Sequence, residues 1–122
     1  MLSILASLFG MAACSDGGAN SYEQITPEQA KTIMDTESDY IILDVRTAEE
    51  FVEGHIENAV LLDYEDVKSK AHVVLPDKEQ LILVYCRSGR RSKIASEELV
   101  KLGYTNVKEF GGIIDWPYEI VK

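Results

Sequence analysis

From Tyr22 onward, short unbroken apolar runs alternate with segments whose apolar residues recur every three or four positions. Residues 22–25, 40–43, 60–62, 81–85 and 106–110 read as strands. The runs 40–43 (Tyr-Ile-Ile-Leu) and 81–85 (Leu-Ile-Leu-Val-Tyr) are apolar throughout, the pattern of strands covered on both faces. Thr26-Pro27-Glu28-Gln29 reads as a helix start, with Thr26 at the N-cap, Pro27 at N1 and Gln29 closing a capping box. Ala30, Ile33 and Met34 form that helix's buried stripe. Thr47-Ala48-Glu49-Glu50 repeats the capping-box pattern, and Gly54 ends the short helix as its C′ residue. Asp63 caps a helix carrying Tyr64 and Val67, and residues 72–80, with Pro76-Asp77, read as a connecting loop. Ala95, Leu99 and Leu102 mark one face of a longer helix stopped by Gly103. Gly111-Gly112 turns into a short terminal helix with Ile113, Ile114 and Trp116.

Alternating strands and helices predict an α/β fold: one mostly parallel sheet of about five strands with helices on both faces. The 122 residues suffice for one domain, assigned here to residues 22–122, and a chain this long needs no disulfide or metal staple. In such sheets ligands sit beyond the C-terminal ends of the strands, which points just after Leu43 and just after Tyr85.

The first residues behave differently. Leu2 to Ala13 carry no charge, and as a helix would rise only about 18 Å, short of a ~30 Å hydrocarbon core. The stretch fits the apolar region of a signal peptide, with Ala12-Ala13 as the small residues before cleavage. Met11-Ala12-Ala13-Cys14 resembles a bacterial lipobox, in which the cysteine is lipidated. Residues 1–14 are therefore expected to be an export signal ending in a lipidation site at Cys14, and residues 15–21 a polar linker. The expected location is the cell envelope, anchored by lipid, with plain secretion and a cytoplasmic location as alternatives. Met11 stands where that motif usually has Leu, and no Lys or Arg precedes the apolar run.

Net charge is −9, which argues against nucleic-acid binding, since that needs a basic face. Against this background, Arg87, Arg90, Arg91 and Lys93 put four of the twelve basic residues within seven positions. The three arginines lie in Cys86-Arg87-Ser88-Gly89-Arg90-Arg91-Ser92, a turn between the strongest strand and a helix, and Lys93 follows it. A helix start offers unpaired N–H groups and the positive end of its dipole, worth ~0.3–2 kcal/mol to an anion. A turn through Gly89 can curl successive N–H groups into an anion nest. Beside this basic cluster Cys86 is expected to react as a thiolate without a histidine partner. The alternative is an inert buried cysteine beside a solvated basic turn. The two cysteines form no C-x-x-C pair, and no zinc-ligand spacing occurs.

The segment Cys86-Arg87-Ser88-Gly89-Arg90-Arg91 resembles the C-x-x-G-x-R active loop of rhodanese-type sulfurtransferases. Leu43-Asp44-Val45-Arg46, Glu49-Glu50-Phe51, Gly54-His55-Ile56 and Ala59 resemble that family's other signature block, and Phe110-Gly111-Gly112-Ile113 with Trp116 its C-terminal end. The likeness runs colinearly from Tyr22 to Lys122. Asn58 stands where the family often has Gly, and Asp63 where it often has Pro; small changes in turn geometry are expected. The resemblance implies transfer of sulfane sulfur from thiosulfate or a related donor through a Cys86 persulfide to a thiol or cyanide, with no metal or organic cofactor. Arg87, Ser88, Gly89, Arg90, Arg91 and Ser92 are then the substrate-binding loop.

Within that loop, Arg91 is read either as fixing the loop or as binding the anionic donor, and Ser92 either as a hydroxyl donor or as a helix cap. Asp44 and Arg46 are read as a supporting ion pair or loop cap. His55, His72, Trp116 and Tyr118 are assigned no chemistry. Two rivals remain. Cysteine phosphatases of related fold use a longer C-x5-R loop, whereas here Arg91 is the fifth residue after Cys86 and Ser92 the sixth. Non-catalytic binding modules of this kind commonly lose the cysteine.

Overall fold

The computed structural model describes residues 21–122. The expected export signal and Cys14 fall outside the described residues, as does the expected linker apart from Ser21.

Five strands form one sheet: β1 (Glu23–Gln24), β2 (Tyr40–Asp44), β3 (Val60–Leu61), β4 (Leu81–Cys86) and β5 (Val107–Gly112). Their spatial order is β1-β5-β4-β2-β3, and every pair is parallel. Four helices connect them: α1 (Pro27–Thr36), α2 (Ala48–Glu53), α3 (Val67–Val74) and α4 (Arg90–Lys101). The expected α/β fold is therefore the one observed, with β4 at the centre.

Alternation along β4 explains why its sequence is apolar throughout. Ile82, Val84 and Cys86 join a core with Leu43, Val67, Ala71, Ala95 and Leu99, under α3 and α4. Leu83 and Tyr85 join the opposite core with Ala30, Ile42, Phe110 and Trp116, under α1. A fully buried side chain such as Leu83 or Leu99 contributes about 1.5–3 kcal/mol. Both capping boxes form: Thr26 accepts from the Gln29 N–H, and Thr47 from the Glu50 N–H.

Several boundaries differ from expectation. Residues 72–74, expected in a loop, are the last turn of α3, because Ala71 and Leu75 continue the buried stripe of Val67. Asp63 caps a 3-10 turn (Tyr64–Asp66) that leads into α3. Gly111 and Gly112, expected as a turn, belong to β5, and the terminal helix is a single 3-10 turn (Ile113–Asp115). Asn58 adopts φ 72°, the conformation that glycine takes most readily, so the change from Gly keeps the turn.

Candidate active site

Cys86 is the last residue of β4, and its side chain is 1% exposed. The chain reverses over Arg87 and Ser88, and Gly89 becomes the N-cap of α4 at φ 109°, a conformation a side chain would strain. The Gly89 N–H donates to Cys86 Sγ at 3.0 Å. Arg90, Arg91 and Ser92 are the first three residues of α4, so their N–H groups lack intrahelical acceptors. The sulfur thus lies at the positive end of a 12-residue helix.

The loop rests on β5. A register shift between Val84 and Cys86 carries β5 under the turn, with Val84 opposite Glu109 but Cys86 opposite Gly112. A Cβ on Gly112 would lie 2.0 Å from the Arg87 carbonyl oxygen, so only glycine fits.

Ser92 is not the N-cap; Gly89 holds that place, and Ser92 is fully buried beneath the loop. Its Oγ lies 3.4 Å from Cys86 Sγ, 3.0 Å from the Gly89 carbonyl oxygen and 2.5 Å from Glu109 Oε2. Glu109, absent from the sequence-based site, is 2% exposed. Its Oε2 also accepts from the Gly111 N–H at 3.0 Å. Only the two-residue period of β5 could have signalled it: Val107 and Glu109 are both buried while Lys108 is half-exposed.

Arg91 pairs with Glu50 of α2. Its two terminal nitrogens donate to Glu50 Oε1 at 2.8 Å and Oε2 at 2.9 Å. The same Oε1 accepts from the Thr47 N–H and hydroxyl at 3.1 Å, so the α2 capping box and the start of α4 share one carboxylate. The Arg91 guanidinium is the main cause that lowers the Glu50 pKa to about 2. The contact is the one that the loop-fixing reading of Arg91 expects. Arg87, Ser88 and Arg90 are exposed around the opening, and the Arg90 guanidinium lies over the Tyr64 ring at 5.9 Å.

Asp44 and Arg46 form a buried ion pair behind the site. Arg46 donates from Nε to Asp44 Oδ1 at 2.9 Å and from a terminal nitrogen to Oδ2 at 2.7 Å, and also to the Gly54 carbonyl oxygen at 2.7 Å. The Tyr85 hydroxyl donates to Asp44 Oδ2 at 2.6 Å and accepts from the Ile56 N–H at 3.1 Å. Burial, then the bond to Asp44, pushes the Tyr85 hydroxyl well above its ordinary range. This network ties β2, β4 and the segment after α2 together next to Cys86 without touching it.

A cleft of about 770 Å³ is lined by residues such as Lys31, Tyr40, Trp116 and Tyr118, and includes none of the Cys86 loop. A smaller cleft of about 320 Å³ borders Ser88, Gly89, Lys93 and Glu109.

A family model described as a Rhodanese-like domain matches residues 26–117. Thiosulfate sulfurtransferase PspE of Escherichia coli (strain K12) is 37% identical over 80 residues, covering 66% of this chain and 77% of that protein. The adenylyltransferase and sulfurtransferase UBA4 of Candida albicans is 30% identical over 104 residues, covering 80% of this chain but 24% of that longer protein. A solved structure described as a rhodanese with anions from E. coli superposes with a TM-score of 0.64 at 35% identity, covering 68% of this chain and 98% of that one.

Proposed function

The chain belongs to the rhodanese-like domain family, and on that premise we propose that it transfers sulfane sulfur from thiosulfate, or a donor of the same chemistry, through a persulfide on Cys86. One observation carries the reading: the Cys86 sulfur lies within a turn whose Gly89 N–H already points at it, at the N-terminus of α4.

The Cys86 thiolate attacks the outer sulfur of thiosulfate. A new S–S bond forms, the donor's S–S bond breaks, and sulfite leaves with that electron pair. The outer sulfur of the persulfide is held by N–H groups of residues 87–92, aided by the helix dipole. A thiol or cyanide then attacks that sulfur, and Cys86 leaves as thiolate. This is two-step nucleophilic catalysis, so ping-pong kinetics follow. Arg87 and Arg90, exposed at the mouth, draw in the anionic donor, while Arg91 holds the loop to α2. The steps require no metal or organic cofactor. Sequence similarity to PspE, a thiosulfate sulfurtransferase by name, supports thiosulfate as the donor.

The test is intact mass after incubation with thiosulfate. We expect a gain of one sulfur, about 32 Da, on Cys86, removed by cyanide and absent in Cys86→Ser. A protein that stays unloaded while its thiol is free would overturn thiosulfate as the donor. An anchor at Cys14 is part of the same proposal. Membrane-extracted protein should carry lipid on an N-terminal Cys14, and an unmodified chain starting at Met1 would refute it.

A further inference from the structure

Glu109 is a buried carboxylate that the persulfide chemistry leaves without a task. It is 2% exposed, and no Lys or Arg pairs with it among the described residues. Its partners are the Ser92 hydroxyl at 2.5 Å, the Gly111 N–H at 3.0 Å and the Gln24 amide at 3.5 Å. An ionised carboxylate in such a place is costly unless its charge can be neutralised or moved. Two atoms away lies the one group in this site that must become an anion.

We propose that Ser92 and Glu109 form a proton relay that converts the Cys86 thiol to thiolate, and this rests on the sulfur-transfer reading of the same site. Ser92 Oγ has one proton and three acceptors around it, of which Glu109 Oε2 is the nearest at 2.5 Å. With that proton aimed at Glu109, the Ser92 lone pairs face the Cys86 S–H at 3.4 Å. In the transfer, the S–H bond breaks and its proton goes to Ser92 Oγ, while the Ser92 proton goes to Glu109 Oε2. The electron pair stays on sulfur. The products are a thiolate, a neutral hydroxyl and a neutral carboxylic acid. Both hydrogen bonds reverse: Glu109 now donates to Ser92, and Ser92 to the thiolate. The site carries one negative charge before and after the transfer, and a second anion forms only when the shared proton leaves at higher pH. Ser92, which touches the sulfur, is the catalytic member; Glu109 acts through it as a positioning residue that stores the proton.

Other groups face this carboxylate. Gln24 of β1 and Tyr22 ahead of it lie on one side, and Glu97 joins Glu109 in raising the Tyr22 pKa after burial itself. Lys93 of α4 and Asp115 after β5 share its cleft. Neither histidine is among them.

A shared proton has a signature that a purely structural contact lacks: the pair titrates in two macroscopic steps. In the full-length protein, short iodoacetamide pulses across pH can be read as Cys86 alkylation by peptide mass spectrometry, which separates Cys86 from Cys14. We expect a two-step profile, with a plateau below the limiting rate between the two steps. Glu109→Gln should give one step, falling about tenfold per pH unit below its midpoint. Ser92→Ala should lose the plateau as well, which serves should the glutamine variant not fold. A single-step profile in the unmodified protein overturns the relay. Sulfur loading measured alongside separates the two ideas. Loading with one step removes the relay and leaves sulfur transfer intact; two steps without loading from thiosulfate keep the relay and remove the donor.

Discussion

At the scale of single residues, the site depends on side chains that have already chosen their partners. Arg91 follows the glycine of the reactive turn, where a donor-binding arginine would be expected, yet both its terminal nitrogens are engaged by Glu50. That pair is about four-fifths shielded from water on the arginine side, so it is held more firmly than an exposed ion pair. Removing one partner leaves the other's charge partly buried and unsatisfied. Glu50→Gln should therefore cost about 1.5–3 kcal/mol at neutral pH, measured by urea unfolding. The sign with pH follows from the lowered pKa, near 2 against an ordinary 4.5. Stabilisation by this group is complete above about pH 4.5 and is lost as pH falls through the folded value. Unfolding curves of the wild type and Glu50→Gln should thus converge between pH 4.5 and 2. Curves that stay parallel would mean that Glu50 ionises in the folded chain as it does in the unfolded one. The backbone makes a comparable choice at Asn58. With φ at 72°, Asn58→Val should destabilise by about 1–2 kcal/mol in thermal unfolding and leave sulfur loading unchanged, whereas Asn58→Gly should not destabilise.

At the scale of elements, the reactive turn is shaped by β5 as much as by its own sequence. The register shift opposite Tyr85 puts Gly112 directly under the Arg87 carbonyl. Gly112→Ala would drive a methyl into that carbonyl at 2.0 Å, and the backbone must move to admit it. A displacement of about 1 Å at a reacting centre can cost roughly a hundredfold in rate. Sulfur loading of Cys86 should fall by about that factor while the far-ultraviolet circular dichroism stays α/β. Unchanged loading would show that the turn is set by Gly89 alone. This dependence also explains what the sequence could and could not reveal. Thr26 with Gln29, Thr47 with Glu50, and the Cys86 turn are local patterns, complete within a few residues, and all were legible. Glu109 acts on Ser92 from 17 positions away, through strand pairing, and nothing local announces it. Serine favours a cap position, which makes Ser92 a candidate in the sequence, but Gly89 in its left-handed conformation starts α4 instead. Pro76-Asp77 is a local turn signal, whereas the helical turn at residues 72–74 depends on burial of Ala71 and Leu75 against the core.

At the scale of the whole molecule, the chain's charge and the site's charge oppose each other. A net charge of −9 would repel the proposed anionic donor, while exposed Arg87 and Arg90 would attract it at the opening. Which field wins depends on range. At physiological ionic strength the screening length is ~8 Å, so carboxylates spread over the surface are muted while charges on the loop act at close quarters. Arg91 is partly spent on Glu50, which leaves exposed Arg87 and Arg90 as the main attraction. The rate of sulfur loading from thiosulfate at subsaturating donor should therefore fall with added salt, about threefold or more between roughly 20 and 300 mM. In the Arg87→Gln, Arg90→Gln double variant the loop attraction is largely gone and the global charge remains. There salt should screen repulsion, and the loading rate should rise instead of fall. A neutral alkylating agent supplies the control, since its reaction with Cys86 should respond weakly to salt in both proteins. Equal salt dependence for thiosulfate in the two proteins would mean that the exposed arginines do not gather the donor, and that the loop N–H groups and the dipole of α4 do so unaided.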